Sequence, residues 1–290
     1  MVERVLLAAP RGFCAGVERA IETVEGALSL YGPPVYVRKQ IVHNGHVVRE
    51  LEELGAVFVE SEEEVPAGAT LVLSAHGVAP AVYANAAARQ LLTIDATCPL
   101  VTKVHVEARR YATEGYTVVL IGHAEHDEVV GTTGEAPEAI RLVESVEQAR
   151  LLEVDDPDRV AYVTQTTLSV DVTAEIVEAL RARFPSLHGP AREDICYATT
   201  NRQAAVKRLA RHVDVLLVIG SPNSSNSNRL VEVARGAGVR AHLIDDDSEI
   251  DERWLDGVRV VGVTSGASAP ERLVRRVCDW FRARGVLDVR

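Results

Sequence analysis

The chain has 290 residues, of which 47% are hydrophobic and 25% are charged, and 31 Lys and Arg against 42 Asp and Glu give a formal net charge of −11. This hydrophobicity excludes an intrinsically disordered chain, and the acidic balance argues against a general binder of nucleic acid or of anionic membranes. A domain usually has about 100–150 residues, so the length allows two or three domains.

The N-terminal segment and the cysteines predict a cytoplasmic protein. The start, MVERVLLAAPRGFC, lacks the basic region and the long apolar region of a secretory signal. No uninterrupted apolar stretch reaches the ~20 residues that a membrane span needs. The four cysteines are too widely spread for the framework of a small secreted domain, so we expect thiols in a reducing compartment.

Apolar, β-branched runs alternate with segments of helical periodicity, which predicts α/β layers with largely parallel strands. In chain order the first of these segments are RVLLAA, VERAIETVEGALSLYG, PVYVRKQIV, HVVRELEELG, AVFVES and TLVLSA. A helix and a strand then follow Cys98, as VTKVHVEARRYATEG and YTVVLIG, and again follow Cys196, as TNRQAAVKRLARHV and DVLLVIG. Any α/β chain shows such alternation, so alternation alone does not indicate a repeat.

The order of elements occurs three times, which predicts a three-fold pseudo-repeat. Each third begins at a cysteine: Cys14, Cys98 and Cys196. A polar turn follows each cysteine after 29, 28 and 28 residues, at His43, His126 and Ser224. We therefore predict three small α/β domains around a common centre, over 14–97, 98–195 and 196–290, with the N-terminal strand in 1–13 joined to the third.

Three of the four cysteines are candidate metal ligands. Each lies at a strand-to-helix junction, where backbone N–H groups favour a thiolate, although any one of them alone is as readily a buried, inert thiol. Paired C-x-x-C spacing is absent, which disfavours structural zinc. Three lone thiolates suit an iron–sulfur cluster in which one iron has no protein ligand. Cys278, in LVRRVCDWF, has apolar neighbours at helical spacing and is predicted to be a core residue.

The crevice of an open parallel sheet lies beyond the carboxyl ends of its strands, and several histidines are predicted there. His43, His76 and His126 follow strands in turns, where imidazoles donate hydrogen bonds or carry positive charge. His105 is predicted on a helix surface. His46 and His123 are predicted either to support the site residues from behind or to be merely polar.

The segment SPNSSNSNRL is a candidate anion site. Ser224, Ser225 and Asn226 lead into a helix predicted to start near Asn228, so that hydroxyl, amide and N-terminal N–H donors point to one place. The alternative is a flexible linker, which the strand before and the helix after disfavour. Ser268 precedes a second predicted helix start that can face the same anion.

Glu128 and Thr166 are candidates for proton transfer. Glu128, in GHAEHDEVVG, is predicted on a turn; a carboxyl group with a raised pKa can act as a general acid there, although exposure is the default for a glutamate. Thr166, in VTQTTLS, can relay a proton or hold a substrate oxygen, or it can cap the next helix. Neither G-x-x-x-x-G-K-[ST] nor G-x-G-x-x-G after a strand occurs, so electrons are expected from a protein donor.

Nine segments in order resemble a known family: PRGFCAGV, VHN, SAHGV, DATCPLVTKVH, GHAEHDEVVGT, TQTTLSVD, DICYATTNRQ, SSNSNRL and GASAP. They are similar to the 4-hydroxy-3-methylbut-2-enyl diphosphate reductases of the LytB/IspH family, which act in the non-mevalonate isoprenoid pathway. The resemblance covers nearly the whole chain. It implies three α/β domains around a central [4Fe–4S] cluster with one open iron.

The resemblance also implies roles for individual residues. Cys14, Cys98 and Cys196 match the cluster ligands, and Glu128 is the implied proton source, with His126 and Thr166 near the substrate. The residues that would hold the diphosphate are His43, His76, Ser224, Ser225, Asn226 and Ser268. The implied reaction is reductive dehydroxylation of an allylic alcohol diphosphate to isopentenyl and dimethylallyl diphosphates, with electrons from ferredoxin or flavodoxin.

Two other classes use the same residues. A Cys/His metallohydrolase acting on a phosphate ester would bind zinc and show no redox colour. A non-catalytic iron–sulfur sensor or diphosphate-binding protein would keep the cysteines and tolerate loss of the acid.

Overall fold

The computed structural model describes residues 2–290, which form twelve strands and ten α-helices. The strands are β1 (Arg4–Leu7), β2 (Val35–Arg38), β3 (Ala56–Val59), β4 (Thr70–Leu73), β5 (Leu92–Asp95), β6 (Thr117–Ile121), β7 (Ile140–Val143), β8 (Val160–Thr164), β9 (Val215–Ile219), β10 (Arg240–Ile244), β11 (Val260–Ser265) and β12 (Asp288–Val289). The helices are α1 (Ala15–Tyr31), α2 (Gly45–Glu53), α3 (Pro80–Ala88), α4 (Pro99–Thr113), α5 (Asp127–Thr133), α6 (Val146–Leu151), α7 (Val170–Arg183), α8 (Tyr197–Leu209), α9 (Ser225–Gly236) and α10 (Glu271–Arg282).

The strands form three parallel sheets, which confirms the predicted α/β class. Their orders are β3-β2-β4-β5, β7-β6-β8 and β10-β9-β11-β1-β12. The helices that directly follow Cys14, Cys98 and Cys196 are α1, α4 and α8, and the next strands in the chain are β2, β6 and β9. In each sheet the following strand in the chain lies on one side of that strand, and the one after that lies on the other side. The same order three times is the pseudo-repeat expected from the sequence, while the boundaries at residues 98 and 196 stay a prediction.

The segment that leads to each cysteine lies beside the third strand of one repeat, which is β11, β4 or β8. Strand β1, before Cys14, pairs with β11, and strand β5, before Cys98, pairs with β4. The segment before Cys196 makes only a single parallel bridge, from His188 to Ala161 in β8. Each cysteine is therefore reached from a sheet and is followed at once by a helix.

The chain forms two compact units, and the first comprises Met1–Ala15, His43–Gly45 and Tyr197–Arg290. Its five-stranded sheet is covered on both faces, so the run VLLVI of β9 is buried at every position. Helix α10 packs on one face through Leu273, Val277 and Phe281, and α8 and α9 pack on the other. Cys278 is 4% exposed within the α10 cluster, which confirms its prediction as a core residue.

The second unit, Gly16–Val42 and His46–Cys196, contains the other two sheets. Alternate residues of β6 point to opposite faces: Val118 and Leu120 pack towards α4, and Val119 and Ile121 pack towards α7. Leu71 and Leu73 of β4 pack with residues of α3 in a separate core. Across residues 2–290, no helix combines the length and the apolar character that crossing a membrane requires.

Candidate active site

Glu128 and Thr166 form a buried hydrogen-bonded pair in the second unit. Glu128 is in the first turn of α5 and is 2% exposed. The Thr166 backbone N–H donates to Glu128 Oε1 at 2.6 Å, and the Thr166 hydroxyl donates to Oε2 at 2.9 Å. Thr166 follows β8, so the carboxyl end of this strand fixes both oxygens of the carboxyl group.

The environment of Glu128 raises the pKa of its carboxyl group into the neutral range. Burial raises its pKa from 4.5 to about 7, because a carboxylate loses its solvation in the core. The two hydrogen bonds from Thr166 oppose part of this shift, and the negative charge of Asp194 adds to it. A carboxyl group with a pKa near the working pH is suited to general acid catalysis.

Two histidines lie next to this pair. His126 is the N-cap of α5, and its Nδ1 accepts the backbone N–H of Glu128 at 3.2 Å. In the neutral ring the proton therefore lies on Nε2. The rings of His126 and His76 make an edge-to-face contact with centroids 5.7 Å apart. Ser74 Oγ lies 3.4 Å from His76 Nδ1.

The backbone connects this group to two of the candidate ligands. The N–H of Cys196 donates to the carbonyl of Thr166 at 3.0 Å, and the N–H of Cys98 donates to the carbonyl of Ala75 at 3.0 Å, one residue before His76. The second unit thus brings together five predicted site residues, from Cys98 through His76, His126 and Glu128 to Thr166, with Cys196 attached to the last.

In the first unit, hydroxyl groups gather where β9 and β11 end. Ser224 is the N-cap of α9, and its Oγ lies 3.5 Å from the hydroxyl of Ser268. Ser268 donates to the carbonyl of His43 at 2.9 Å, and Asn223 Nδ2 lies 3.4 Å from His43 Nδ1. The structure therefore places three of the predicted diphosphate ligands together at the start of a helix, where N–H groups favour an anion.

Asn226 connects these hydroxyls to the first cysteine. Its amide oxygen accepts the N–H of Ala267 at 2.9 Å, and its amide nitrogen donates to Thr199 Oγ1 at 3.0 Å. The carbonyl of the same Ala267 accepts the N–H of Cys14 at 3.1 Å. Asn226 is buried, so these contacts fix its orientation, while the neighbouring Ser225 is half-buried.

The cysteines divide into the two classes that the sequence predicts. Within residues 2–290 none of the four forms a disulfide bond. Cys14, Cys98 and Cys196 are partly exposed and each directly precedes a helix, whereas Cys278 is packed in an apolar core. Thiols are ligands of thiophilic metals, and its apolar packing separates Cys278 from the other three.

Several predictions of residue environment were wrong. His105 is 6% exposed rather than on a helix surface, because its Nδ1 pairs with the buried Glu135 at 2.9 Å. Glu128 lies in helix α5 rather than on a turn, and its burial excludes the alternative of an exposed glutamate. Helix α9 begins at Ser225, three residues before the predicted start near Asn228, because Ser224 caps it.

The structure excludes the capping role of Thr166, because the N-cap of α7 is Ser169. The hydroxyl of Thr166 donates to Glu128. Sequence reasoning missed the residues that orient the site, such as Thr199 beside Asn226 and Ser227, whose hydroxyl donates to Ser224 Oγ at 2.9 Å. Thr199 lies in the motif DICYATTNRQ and Ser227 lies in SSNSNRL. Their positions within these motifs were the only sequence signal for a role at the site.

The fold and site define a parallel α/β protein with three thiols that directly precede helices, a buried carboxylic acid and a cluster of hydroxyl groups at the start of α9. The family model described as LytB protein matches residues 5–282. The chain belongs to this family, and the membership implies a metal cofactor.

Individual relatives carry one name. A protein of Acidothermus cellulolyticus named 4-hydroxy-3-methylbut-2-enyl diphosphate reductase is 67% identical over 97% of this chain and 83% of its own length. A protein of the same name from Streptomyces coelicolor is 58% identical over 99% of this chain and 85% of its own length.

Two solved structures are similar along the whole chain. The E-1-hydroxy-2-methyl-but-2-enyl-4-diphosphate reductase of Plasmodium falciparum has a TM-score of 0.97 and 41% identity, covering 100% of this chain and 92% of its own. An (E)-4-hydroxy-3-methyl-but-2-enyl diphosphate reductase, described as the terminal enzyme of the non-mevalonate pathway, has a TM-score of 0.67 and 33% identity, covering 98% and 100%.

Proposed function

We propose that the protein is an oxidoreductase that converts (E)-4-hydroxy-3-methylbut-2-enyl diphosphate to isopentenyl and dimethylallyl diphosphates. Membership of the LytB family and the names of its relatives support the reaction. The observation that carries the proposal is the buried Glu128–Thr166 pair, which sits in the same unit as two thiols that precede helices. A non-catalytic sensor requires no protonated acid held in this way.

The proposed cofactor is a [4Fe–4S] cluster with Cys14, Cys98 and Cys196 as ligands and one iron without a protein ligand. When bound, such a cluster supplies electrons and an open coordination position on iron. The partial exposure of these thiols and their places before α1, α4 and α8 support the assignment. The core position of Cys278 argues against it as a ligand.

The proposed diphosphate site includes the hydroxyls of Ser224, Ser225 and Ser268, the amide of Asn226 and the imidazoles of His43 and His76. Hydroxyl and amide donors at the start of α9 offer hydrogen bonds to phosphate oxygens, and the helix terminus favours their charge. An anchored diphosphate fixes the position of the carbon chain, and positioning of this kind can supply much of a rate enhancement.

Removal of the substrate hydroxyl as water takes up two electrons and two protons. Glu128 is the proposed donor of the proton to the departing oxygen, because burial raises its pKa to about 7 and a large fraction of the carboxyl groups then carries a proton near neutral pH. Thr166 holds both carboxyl oxygens and orients the acid, and His126 is the proposed second donor to the substrate through Nε2. The second proton is delivered to carbon.

The proposed electron donor is ferredoxin or flavodoxin. The chain has neither of the glycine-rich nucleotide motifs that a bound nicotinamide or ATP would use, so a protein donor is the simpler source. The proposed location is the cytoplasm, where the four thiols would stay reduced.

Iron and acid-labile sulfide on anaerobically purified protein test the proposal. We expect about four of each per chain and an absorption band that bleaches with dithionite; zinc without sulfide would point to a hydrolase instead. Cys278→Ala should keep full iron content, and Cys196→Ala should lose it.

Glu128→Gln should keep iron and substrate binding but lose at least about 100-fold in turnover. Near-normal turnover would remove Glu128 from the mechanism.

A further inference from the structure

Helix α4 holds the segment that leads to Cys196. Lys103 Nζ donates to the backbone carbonyl of Arg192 and, at 2.8 Å, to the buried carboxylate of Asp194. One turn further along the helix, Glu107 accepts the N–H of Ala191 at 3.4 Å. The helix that Cys98 begins is therefore bonded to the residues just before the next cysteine.

The same contact occurs between the helix after Cys196 and the segment before Cys14. Arg202 of α8 is buried and donates to the carbonyl of Gly12 at 2.6 Å, as well as to Ala198 of its own helix at 3.1 Å. The N–H of Gly12 is also fixed, since it donates to Ser265 Oγ at 2.8 Å. The loop that presents Cys14 is thus held from both sides.

The third contact joins the helix after Cys14 to the segment before Cys98. Arg19 of α1 donates to the carbonyl of Thr97 at 2.7 Å. Thr97 directly precedes Cys98, and its own N–H donates to Asp95 at 2.8 Å. Unlike Arg202, Arg19 is exposed at the protein surface.

The three contacts follow one rule. The cation lies five, five and six residues after a cysteine, in Arg19, Lys103 and Arg202, and its acceptor lies one to four residues before the next cysteine in the cyclic order 14, 98, 196. Each contact is contained within one of the two units. The same contact therefore occurs once in each pseudo-repeat, although the three cations differ in type and in burial.

We propose that Arg19, Lys103 and Arg202 are positioning residues that hold the three cysteine segments in place for the metal cofactor. We call them the latch cations. A hydrogen bond from a charged donor is about twice as strong as a neutral one, and each latch acts on a carbonyl in a segment between regular elements. Groups that orient metal ligands typically change metal affinity when they are removed.

The inference rests on the proposed function, because it needs a cluster bound by these cysteines. Its test is the rate at which anaerobically loaded protein gives up iron to the ferrous chelator bathophenanthroline disulfonate, well below the unfolding temperature of each variant. Lys103→Met and Arg202→Met keep an apolar stem but lose the donors. Arg38→Met is the matched control, since Arg38 forms a part-buried ion pair with Glu62 at 2.8 Å in segments without a cysteine.

We expect iron release to be about tenfold faster in Lys103→Met and Arg202→Met, because loss of a group that orients metal ligands typically lowers metal affinity 10- to 100-fold. In the exposed Arg19→Met we expect release to be about two- to threefold faster. Arg38→Met should stay within about twofold of the wild type even if its melting temperature falls. Lys103→Arg, which keeps a charged donor, should restore most of the retention.

Release at the wild-type rate from all three latch variants would overturn the inference, as would equal acceleration in Arg38→Met. A Lys103→Arg variant as fast as Lys103→Met would also overturn it for Lys103. Lys103→Met keeps the test decisive if Arg202→Met does not fold, because the Lys103 side chain is partly exposed whereas Arg202 is buried. Wild-type protein without iron and sulfide would instead contradict the proposed function, so the two failures are distinguishable.

Discussion

At the scale of single residues, Glu128 shows how burial and hydrogen bonding set a chemical property. Its carboxyl group is removed from water, which favours the neutral acid, while both of its oxygens accept hydrogen bonds from Thr166, which favour the anion. Burial is the larger effect, and the pKa rises to about 7. The same group is thereby costly to ionise in the folded protein.

The stability of the protein should therefore depend on pH through Glu128. Between pH 4.5 and about 7 the unfolded chain has released the Glu128 proton while the folded chain keeps it, so the free energy of unfolding falls as pH rises. The full loss, roughly 3 kcal/mol, is reached above pH 7. Glu128→Gln removes this loss, so the variant should gain stability relative to the wild type between pH 5 and pH 8.

Urea unfolding of both metal-free proteins at several pH values measures this difference. The carboxyl group of Asp194, whose pKa burial raises to about 6, is present in both proteins, so its own loss of stability with rising pH is largely removed by the comparison. A stability difference that is independent of pH would contradict the raised pKa of Glu128.

Residue environments were only partly predictable from the sequence. The helical spacing around Cys278 is a local pattern, and it correctly gave a core position. The burial of Glu128 and His105 depends on which strand end or helix faces them after folding, and no local pattern carries that information. Family resemblance supplied a role for Glu128 but not the pKa that supports this role.

At the scale of elements, the start of α9 depends on the close approach of two strand ends, at Gly220 and Gly266, to the first turn of the helix. Ser227 is fully buried in the first turn, and its hydroxyl donates to Ser224 Oγ. A Cβ atom added at Gly220, after β9, or at Gly266, after β11, would overlap the Ser227 hydroxyl. These glycines allow both strand ends to reach the helix terminus that forms the anion site. In the sequence the segment resembles a loop, which is why its helix was predicted to start too late.

Gly220→Ala should displace the first turn of α9. We expect a loss of about 1–3 kcal/mol in stability, as for other overpacked positions, together with a raised KM for the diphosphate substrate. Gly236→Ala is the matched control, because it lies in the last turn of the same helix and its added Cβ would meet no atom within 4 Å. That variant should equal or slightly exceed the wild type in stability.

Denaturant unfolding and steady-state kinetics of the two variants provide the measurement. If Gly220→Ala left both stability and KM unchanged, the contact between Gly220 and Ser227 would not position the helix. A similar loss in Gly236→Ala would attribute the effect to the backbone of α9 rather than to the overlap.

At the scale of the whole molecule, the three-fold repeat was the most predictable feature. Strand and helix alternation depends on periodicity, which is read from short windows, and the repeat added the equivalence of the cysteines. The sequence assigned the N-terminal strand to the third repeat, but it did not reveal which strand of that repeat is its partner. The neighbours β1 and β11 are separated by most of the chain, and that pairing depends on contacts that no window contains.

Each of the two units has apolar cores that contain no predicted metal ligand. Metal-dependent folding is typical of chains below about 40 residues, which cannot bury enough apolar surface, and this chain is far longer. We therefore expect chelated protein to keep its helical far-UV circular dichroism.

Chelation should nevertheless lower the melting temperature, by roughly 5 °C or more, because a cofactor bound only by the folded state stabilises that state. Circular dichroism and calorimetry of the same anaerobic sample before and after iron removal separate the two effects. Collapse of the helical signal on chelation would mean that the cofactor organises the fold itself. An unchanged melting temperature would mean that the folded state binds the cofactor too weakly to be stabilised by it, which is inconsistent with three thiolate ligands.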